Sequence, residues 1–477
     1  MHTSLRVTRL LGMIGLALAL AAPASASAQI CDAVALTGAL STASSGDVVR
    51  IGACRITGSF SVPSGVTLRG VDADTSVIAV PTGGYGVTLH AGADTAILRH
   101  LRIETDGRFG VFAAGTGSAL VDHVRIAATR GIGVAAEGVG EMALVNVRIR
   151  GPVTAGIAST VPPDLTPSVA ATHGVVFARV AHGSLDNVRI DGFAAFGGLF
   201  VNGDTALWDV SATDNVGVGL AVWGGSVTAD DVAVRRTFRG MLPADEVATG
   251  VGFAGGATVT TEDLTASANQ GWGVFHADTG IVEHDSLLAV NNDHAGVWIQ
   301  DGAYLQLDDA SLLNNAWAGV AAIDTTFLSM EGGGVMRTRM ATPTGHPEAG
   351  DGVQLVGTAG DFFDLNLTGN QRAGLLGSLS TGQTLADYGF AGVRAAGGTG
   401  ALGVVFQQGG APLPLVTTGI TRIGDVAAND GAFAAAAEIM EVTGAGVPDW
   451  WLPAEAVASL GIGALFLQKP GDLNERP

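Results

Sequence analysis

Lysine is almost absent from this chain. Lys469 is the only lysine in 477 residues, so nearly every basic side chain is an arginine, and 24 basic residues face 44 acidic ones. The formal charge of −20 argues against nucleic acid and anionic membranes as partners, because both repel an acidic surface. The 16 prolines are too few for a collagen-like or disordered protein.

Apolar runs long enough to cross a membrane are also missing. The longest run near the N terminus, residues 10–22, follows Arg6 and Arg9 and precedes the Ala-Ser-Ala sequence at 26–28. A positive start, a short apolar run and an A-x-A site are typical of a cleaved signal peptide, and the run is too short to span a bilayer. We therefore expect residues 1–28 to be a signal peptide and the protein to be exported, to the periplasm, the medium or the cell surface.

Cysteine is scarce, and both cysteines, Cys31 and Cys54, follow the predicted cleavage site. Two cysteines in an exported chain most simply form one disulfide. Such a bond would close a loop of about two dozen residues and stabilise the fold by about 3 kcal/mol in the chain-entropy model.

Glycine, in contrast, is abundant, with 71 residues, about twice its usual share. Three consecutive 23-residue units begin at Gly250, Gly273 and Gly296, and a fourth begins in phase at Gly319. A fixed period of this length indicates a solenoid. A glycine followed by Val or Leu marks each unit along the chain, at Gly86, Gly110, Gly133, Gly174, Gly198, Gly219, Gly250, Gly273, Gly296, Gly319, Gly352, Gly374 and Gly403.

Alternation after each of these glycines predicts a strand whose first Val or Leu points inward and whose next residue points outward. Two polar columns accompany the strands. The first lies four residues before the glycine, at Asn215, Asn269, Asn292, Asn315 and Asn370. The second precedes another apolar strand, at Asn146, Asn187, Asp209, Asp231, Asp263, Asp309 and Asp364. Asn and Asp tolerate left-handed backbone and bond turn amides, so we expect stacked polar ladders.

These features together carry a resemblance to a known group of proteins. Glycine-led strands, N-x-x-x-G turns and units of 21 to 24 residues resemble the right-handed parallel β-helix proteins of the pectate-lyase-like superfamily. The resemblance implies an all-β fold, a single-stranded parallel β-helix of about 13 rungs over residues 48–411. The superfamily includes lyases, hydrolases, adhesins and catalytically silent surface proteins, so the resemblance implies a fold and leaves the activity open.

Short caps are expected at both ends of the solenoid, because an open end exposes core and unpaired strand edges. Residues 29–47, with a predicted helix within 32–45, would form the N-terminal cap. Residues 412–477 would form the C-terminal cap or tail. Docking of Trp450 and Trp451 on a membrane or partner is the alternative for that tail.

Three insertions interrupt the repeat at one phase, at residues 151–172, 236–249 and 336–351. They should therefore project from one edge of the solenoid. The last two bracket the regular units of 250–318, which would leave a saddle whose floor is about 15–20 Å long. That length would hold a few sugar units.

Aromatic residues lie at the predicted floor of this saddle. The outward positions two residues after the glycine hold Phe200, Phe275 and Trp298, and Trp272 and Trp317 flank them. Planar rings on a flat sheet would stack on sugar faces, so these residues are the predicted binding surface. A structural aromatic ladder that a loop covers is the alternative.

Arginines lie on both insertions, at Arg235, Arg236, Arg239, Arg337 and Arg339. In an acidic protein, guanidinium groups on two sides of one cleft would attract a carboxylated or sulfated polymer. The alternative is that they are solubilising loop charges.

Aspartates recur five residues after the glycine, at Asp278, Asp301 and Asp324. Stacked about 5 Å apart, they would be turn residues, oxygen ligands for Ca²⁺ or a catalytic carboxylate pair. His276 is expected at an inward position near this turn, as a core histidine rather than a metal ligand.

Known chemistries of the resembled superfamily fit only in part. Its lyases use clustered aspartates for Ca²⁺ and a basic residue that abstracts a proton, roles for which the three aspartates and Arg235, Arg236 or Arg239 are the catalytic candidates. The chain has no G-H-G and no R-I-K, so the polygalacturonase type of hydrolysis is disfavoured. Nothing in it resembles a nucleophile elbow, a P-loop or a zinc motif.

We therefore expect an exported, non-catalytic β-helix that binds polysaccharide or another cell-surface polymer between the two insertions and requires no cofactor. One alternative is a polysaccharide lyase that uses Ca²⁺-assisted β-elimination on a uronic-acid polymer. The other is a purely structural or adhesive surface protein.

Overall fold

The computed structural model describes most of the predicted solenoid and its N-terminal cap. The described residues are 29–152, 171–239, 248–342, 348–397, 402–408, 411–412 and 420–423. The predicted signal peptide lies outside these residues, as do parts of all three insertions and almost all of the predicted C-terminal cap. No helix in the described part of the chain is long and apolar enough to cross a membrane.

A short helix, α1 (Ala33–Thr42), covers the first coil as the sequence predicts. Leu36 and Leu40 lie one turn apart and are buried against that coil. Cys31 and Cys54 form the predicted disulfide, with their Cα atoms 5.9 Å apart. The bond ties the start of the helix to the first strands.

The strands form two long sheets. Sheet 1 takes one strand from each coil. Its strands are β3 (Phe60–Val62), β6 (Tyr85–Ala91), β9 (Phe109–Gly115), β12 (Gly131–Glu137), β14 (Ala171–Ala178), β16 (Phe196–Val201), β18 (Val218–Trp223), β20 (Thr249–Ala254), β22 (Val274–Ala277), β25 (Val297–Gln300), β28 (Trp317–Ile323), β31 (Gly350–Val356), β34 (Ala373–Leu379), β37 (Leu402–Gln408) and the antiparallel edge strand β38 (Ala411–Pro412).

Sheet 2 takes either two short strands or one bent ten-residue strand from each coil. Its strands are β1 (Val48–Arg50), β2 (Arg55–Thr57), β4 (Thr67–Arg69), β5 (Val77–Val80), β7 (Ala96–Arg99), β8 (Arg102–Thr105), β10 (Ser118–Asp122), β11 (Arg125–Ala128), β13 (Glu141–Arg150), β15 (His182–Asp191), β17 (Asp204–Thr213), β19 (Ser226–Arg235), β21 (Thr258–Ser267), β23 (Ile281–Asp285), β24 (Leu288–Val290), β26 (Tyr304–Asp308), β27 (Ser311–Leu313), β29 (Phe327–Glu331), β30 (Gly334–Met336), β32 (Ala359–Phe363), β33 (Asn366–Asn370), β35 (Tyr388–Ala391), β36 (Val393–Gly397) and β39 (Ile420–Ile423).

Successive coils pair in parallel and in the register that the sequence period predicts. Val274 lies beside Val297, and Val297 lies beside Val320. In every coil but the one at Gly197 and Gly198, the apolar residue after the unit glycine points between the two sheets, where one continuous hydrophobic core fills the coil. Parallel strands joined by crossovers are almost always right-handed, and the protein is a right-handed parallel β-helix, as predicted.

Close backbone approach explains the glycine column. A Cβ atom on Gly273 would lie 2.6 Å from the carbonyl oxygen of Gly296 and 2.7 Å from Nδ2 of Asn292. The same approach recurs from coil to coil, so any side chain at these positions would push neighbouring coils apart. The asparagine side chain of the next coil therefore fills the space that a side chain on the glycine would need.

The asparagine column forms the predicted ladder inside the coil. Nδ2 of Asn269 donates to Oδ1 of Asn292 at 2.9 Å, and Nδ2 of Asn292 donates to Oδ1 of Asn315 at 2.9 Å. The backbone amides of Asn269 and Asn292 donate to the same oxygens at 3.1 Å. These buried side chains satisfy turn amides that would otherwise lack partners.

The second polar column lies at the bend within sheet 2, where it was predicted. All seven of its members have left-handed backbone, with φ between 49° and 54°. Asn and Asp adopt this conformation with less strain than other residues that carry a side chain. The column therefore sets the angle at which each coil turns within sheet 2.

Candidate functional site

The predicted aromatic residues gather on the outward side of sheet 1. Phe275 and Trp298 point away from the core, as predicted, and Trp272 and Trp317 pack beside them. Ring centroids are 4.7 Å apart for Trp272 and Phe275 and 5.2 Å apart for Trp298 and Trp317. All four are buried, Trp298 to 1% exposure. They form a packed cluster instead of an open platform, and their contact with a polymer stays a prediction.

Phe200 does not belong to this cluster, and its predicted outward direction is wrong. Val175 pairs with Gly198, so the unit glycine of this coil is Gly197 and the register differs by one residue from the predicted one. Phe200 therefore points into the core, where its ring lies 5.6 Å from that of Phe177. A one-residue shift turns a strand position to the opposite face of its sheet.

The apolar outward side extends far beyond the aromatic residues. From Val176 to Val405, most outward positions of sheet 1 are apolar, and Gln300, Gln354 and Gln407 are the polar ones that lie buried among them. Asp351 of β31, which pairs with Ala318, is also buried, and its carboxylate accepts hydrogen bonds from Arg372. Representative buried members are Val176, Leu199, Ala221, Ala254, Ala321 and Leu376. We call this surface the outer face of sheet 1. Most of its members form a hydrophobic cluster separate from the core.

The three predicted aspartates directly follow strands of sheet 1. Asp278, Asp301 and Asp324 are exposed and have left-handed φ values of 47°, 52° and 48°. Turn geometry is therefore a sufficient reason for aspartate at each position. Among the residues the structure describes, no group of three acidic, histidine or cysteine side chains is placed to hold a metal ion. The Ca²⁺ and catalytic roles stay predictions.

On the insertion at 236–249, Arg236 is engaged in an ion pair. Its guanidinium donates two hydrogen bonds to the carboxylate of Asp214, at 2.7 and 2.9 Å. This hydrogen bonding raises the pKa of Arg236 above its ordinary value. Arg235, at the end of β19, and Arg337 are exposed. Arg236 is therefore less available to a polymer than the sequence implies.

Two further arginines hold the bases of the insertions to the coil. Nε of Arg239 donates to the carbonyl oxygen of Gln270 at 3.2 Å, and Nε of Arg339 donates to that of Asn314 at 2.9 Å. The insertions also begin alike, with the Arg-Thr pairs at 236–237 and 337–338. That shared pair is a sequence signal, which indicates one structural role for both insertions.

The arginines and the aspartates lie at opposite ends of the strands of sheet 1. Arg239 bonds to Gln270, which precedes β22, and Asp278 follows the same strand. Along β22 alone, at about 3.3 Å per residue, the two ends are about 13 Å apart. The described residues therefore do not bring the carboxylates and guanidinium groups together as a lyase site.

A partly exposed apolar column that sequence analysis did not single out lies on the outward side of sheet 2. Ile281, Tyr304 and Phe327 occupy successive coils, in register. Ile281 is 52% exposed, and the rings of Tyr304 and Phe327 are parallel with centroids 5.9 Å apart. The Tyr304 hydroxyl donates to Gln306 at 3.2 Å, and the Gln306 amide donates to Asp308 at 2.6 Å. The 23-residue spacing of the column was a visible signal.

A column of carboxylates runs beside it on the same face. Register places one acidic side chain in each of five successive coils, at Asp230, Glu262, Asp285, Asp308 and Glu331. Burial, and then the neighbouring charges of Glu331 and Asp285, raise the pKa of Asp308 above its ordinary value. We call this set the acidic column. It makes the outward side of these five coils of sheet 2 repel anions.

A small pocket beside α1 holds a serine and a histidine in contact. Oγ of Ser61 lies 2.5 Å from Nε2 of His90, and both line the pocket with Leu40 and Pro63. Within the described residues, no carboxylate bonds to the other ring nitrogen of His90. The pair therefore lacks the third group that orients the base in a catalytic triad.

Comparison with known proteins identifies similar folds only. No family model matches the chain, and no curated protein matches it significantly. The mannuronan C-5 epimerase AlgE6 A-module of Azotobacter vinelandii is 15% identical, with 76% of this chain and 94% of that chain covered and a TM-score of 0.41. The catalytic unit of the GH87 α-1,3-glucanase of Streptomyces thermodiastaticus is 14% identical, with 79% and 64% covered and a TM-score of 0.39. The Dettilon tailspike protein is 10% identical, with 75% and 63% covered and a TM-score of 0.36.

Proposed function

We propose that this protein is an exported β-helix that binds an extended polysaccharide, or a similar surface polymer, along sheet 2 without altering it chemically. The observation that carries the proposal is the outward column of exposed Ile281 and half-buried Tyr304 and Phe327, beside the hydrogen-bonding groups of Gln306 and Asp308. Aromatic rings supply apolar contact area at low entropic cost. Coils about 4.8 Å apart present the same chemistry repeatedly, which suits a polymer with a repeating unit.

The charges on this face favour a neutral polymer or one that carries amino sugars. The acidic column would repel uronic-acid or sulfated chains, as would the net charge of −20. The insertion arginines were the reason to expect an anionic polymer. Arg236 is paired with Asp214, and Arg239 and Arg339 bond to backbone carbonyl groups, so they offer little attraction that would offset this repulsion.

Binding without turnover is the function that the geometry supports best. β-Elimination needs a cation at the substrate carboxylate and a base near the neighbouring carbon. The aspartates and the insertion arginines would supply these groups. They lie at opposite ends of the strands of sheet 1. Calcium use and catalysis by Asp278, Asp301 or Asp324 therefore need a direct test.

Co-sedimentation with insoluble polysaccharides tests the binding proposal. We expect the protein to pellet with neutral or amino-sugar polymers, and the double variant Tyr304→Ala, Phe327→Ala to bind at least tenfold more weakly. Val34→Ala, at an 80% exposed position on α1, is the matched control and should bind normally. If a folded Trp298→Ala variant loses binding while the double variant keeps it, the polymer binds on sheet 1 and the proposal is wrong.

A turnover assay tests the absence of chemistry. The protein is incubated with uronic-acid polymers, with added Ca²⁺ or with a chelator, and unsaturated ends are followed by ultraviolet absorbance. We expect no signal. A calcium-dependent signal that disappears in Asp301→Ala would establish the lyase alternative and a metal site at the aspartates.

A further inference from the structure

We propose that the first coils of sheet 2 carry a second binding site, which takes an acidic polysaccharide with carboxylate or sulfate groups along its chain. The site is a row of arginines on successive coils, which we call the arginine ladder: Arg102, Arg125, Arg148 and Arg189. The ladder lies apart from the apolar column of the proposed function, so each site is tested by a measurement of its own.

Strand register stacks the arginine ladder. Arg125 of β11 pairs with Arg102 of β8 on one side and with Arg148 of β13 on the other. Arg189 of β15 continues the row beside Arg148. All four alternate with buried residues along their strands and therefore point outward. Coils about 4.8 Å apart spread the guanidinium groups along about 14 Å, so an extended polymer meets the same donor group on each coil.

The guanidinium groups of the ladder are open to a ligand. The exposed fraction of the side chain is 42% for Arg102, 54% for Arg125 and 58% for Arg148. Arg189 is exposed as well and forms no ion pair with a described residue. Arg148 lies 3.7 Å from the carboxylate of Asp191, which is too far for a hydrogen bond.

The closer ion pairs of the ladder leave donors free. Nη2 of Arg102 lies 2.9 Å from the carboxylate of Glu104, and Nη1 of Arg125 donates to Asp74. Each contact uses one nitrogen of a group that carries five N–H donors. Exposed ion pairs of this kind contribute little free energy, so an acid group of the polymer can share or replace these carboxylates.

Local charge sets this part of sheet 2 apart from the rest of an acidic protein. Past the bend, the outward positions from β2 to β15 hold more basic than acidic residues: Arg55, Arg102, Arg125, Arg148, Arg150 and Arg189 against Glu104 and Asp191. The acidic column begins two coils beyond Arg189, at Asp230. That distance is about 10 Å along the solenoid, about one Debye length at physiological salt. The ladder therefore attracts an anion locally despite the net charge of −20.

The column just before the bend changes sign along the solenoid in the same way. Arg50, Arg69 and Arg99 occupy it in the first coils. Asp122 follows and accepts a hydrogen bond from Arg99 at 2.8 Å. Asp186 and then the acidic column take its later positions. An acidic polymer is thus attracted by the first coils and repelled by the later ones, which limits it to the ladder.

The chemistry of guanidinium groups defines the class of ligand. Their planar fork matches the two oxygens of a carboxylate or sulfate group and donates to both. A small anion would meet one exposed arginine, and a single exposed pair contributes little. A polymer engages several ladder members at once, because the first contact raises the effective concentration of the next acid group. The ladder therefore suits a polymer better than a small anion.

Native gels that contain an acidic polymer test the proposal. Polygalacturonate or dextran sulfate is cast into the gel, and retardation relative to a gel without polymer gives a dissociation constant. We expect at least one of the two polymers to retard the protein, and the one that does so shows whether carboxylate or sulfate is bound. The triple variant Arg125→Gln, Arg148→Gln, Arg189→Gln should bind at least tenfold more weakly. No retardation by either polymer would overturn the proposal.

A charge-matched variant separates the ladder from the net charge of the protein. Arg108→Gln, Arg130→Gln, Arg179→Gln removes the same charge from exposed positions that flank strands of sheet 1. It should bind the acidic polymer as the unsubstituted protein does, and thermal unfolding should show that both triple variants are folded. Equal losses in the two folded variants would mean that no local site exists.

Chemical modification locates the bound polymer on the unsubstituted protein. Phenylglyoxal reacts with exposed arginines, and mass spectrometry compares the extent of reaction with and without the acidic polymer. We expect protection of Arg148 and Arg189 and none of Arg130. Protection confined to the insertion arginines Arg235 and Arg337 would place the polymer there and contradict the proposal.

The two binding proposals fail separately. The double variant Tyr304→Ala, Phe327→Ala should keep its full affinity for the acidic polymer, and the ladder variant should still pellet with the neutral or amino-sugar polymer. An acidic polymer that the double variant no longer binds would lie on the apolar column, which would overturn the ladder site. Loss of neutral-polymer binding in the ladder variant alone would instead overturn the proposed function.

Discussion

The outward sides of the two sheets differ, although the same repeat builds both. Trp298 points outward from sheet 1 and is 1% exposed, whereas Trp208 points outward from sheet 2 and is 42% exposed. Sheet 1 is mostly apolar on its outward side, and sheet 2 carries the acidic column together with Arg, Ser, Thr and Gln side chains. An outward position in a solenoid is therefore not always an exposed position.

The two polar ladders repeat this contrast at the turns. Asn292 is buried and donates to its neighbour Asn315, whereas Asp263 and Asp309 lie at the exposed bend of sheet 2. The two ladders have different structural roles. The asparagines satisfy buried amides, and the aspartates allow left-handed backbone.

The largest expected effect distinguishes the two outward tryptophans. Trp298→Ala should lower the free energy of unfolding by about 3–5 kcal/mol, because it leaves a cavity in a packed cluster. Trp208→Ala should cost less than about 1 kcal/mol, because half-exposed surface residues contribute little. Urea unfolding measures both. Equal small losses would mean that the outer face of sheet 1 is not a packed interior.

Two histidines, one on each sheet, allow the acid sensitivity of the two sheets to be compared. His173 in β14 is buried, and burial lowers its pKa to about 4; its ring nitrogens have no hydrogen-bond partner among the described residues. His182 in β15 is exposed. Below the unfolded pKa of about 6.5, protons bind the unfolded chain first, so the stability that neutral His173 allows is lost as pH falls from 6.5 towards 4.

His173→Phe should remove that part of the acid sensitivity. Relative to the unsubstituted protein, the variant should gain about 3 kcal/mol between pH 7 and pH 4, at about 1.4 kcal/mol per pH unit. His182→Phe is the control and should change little. Parallel pH profiles for the His173 variant and the unsubstituted protein would show that the site takes up its proton while folded.

Glycine substitutions separate a tight coil contact from an open one. Gly296→Ala would place Cβ 2.6 Å from Nδ2 of Asn315 and 2.8 Å from the carbonyl oxygen of Gly319. We expect a loss of about 2 kcal/mol or more, the range of overpacking in a dense interior. The nearest atom to a Cβ on Gly280 would be Oγ1 of Thr258 at 3.5 Å, so Gly280→Ala should stay within about 0.5 kcal/mol. Thermal unfolding of both variants checks the order.

The smallest effect concerns the acidic column. Asp308→Asn keeps an acceptor for Gln306 and removes the repulsion from Asp285 and Glu331, the source of part of the raised pKa. It should stabilise the protein at neutral pH by about 0.5 kcal/mol in low salt, and high salt should cancel the gain by screening. A gain that persists in high salt would point to a cause other than the column.

Much of the coil could be predicted because its causes are local. The glycine column, both polar ladders and the N-terminal helix follow from residue types at fixed spacing. The coil at Gly197 and Gly198 is the exception. Gly198 precedes Leu199 and so fits the pattern of a glycine followed by Val or Leu. The pairing of Val175 with Gly198 instead places Gly197 in the glycine column. That choice turned Phe200 inward.

The surface was harder to predict, for a physical reason. Periodicity indicated that Trp298 points outward, but it contains no information about how deeply that side chain is buried. Arg236 meets Asp214 on the adjacent coil, 22 residues before it, and aligning the coils could have found that pair. Arg239 and Arg339 bond to backbone carbonyl groups, which residue types do not reveal. The column of Ile281, Tyr304 and Phe327 was present at the repeat spacing and could have been found by aligning the sheet 2 strands as closely as the glycines.

The sequence by itself determined the period of the coil, the positions of its turns and the side of each strand that a residue occupies, because close approach and alternation act between neighbours. Only the tertiary structure decided which outward side chains meet solvent. Exposure depends on how side chains of different strands pack together, and the alternation along one strand is the same at a buried and at an exposed outward position.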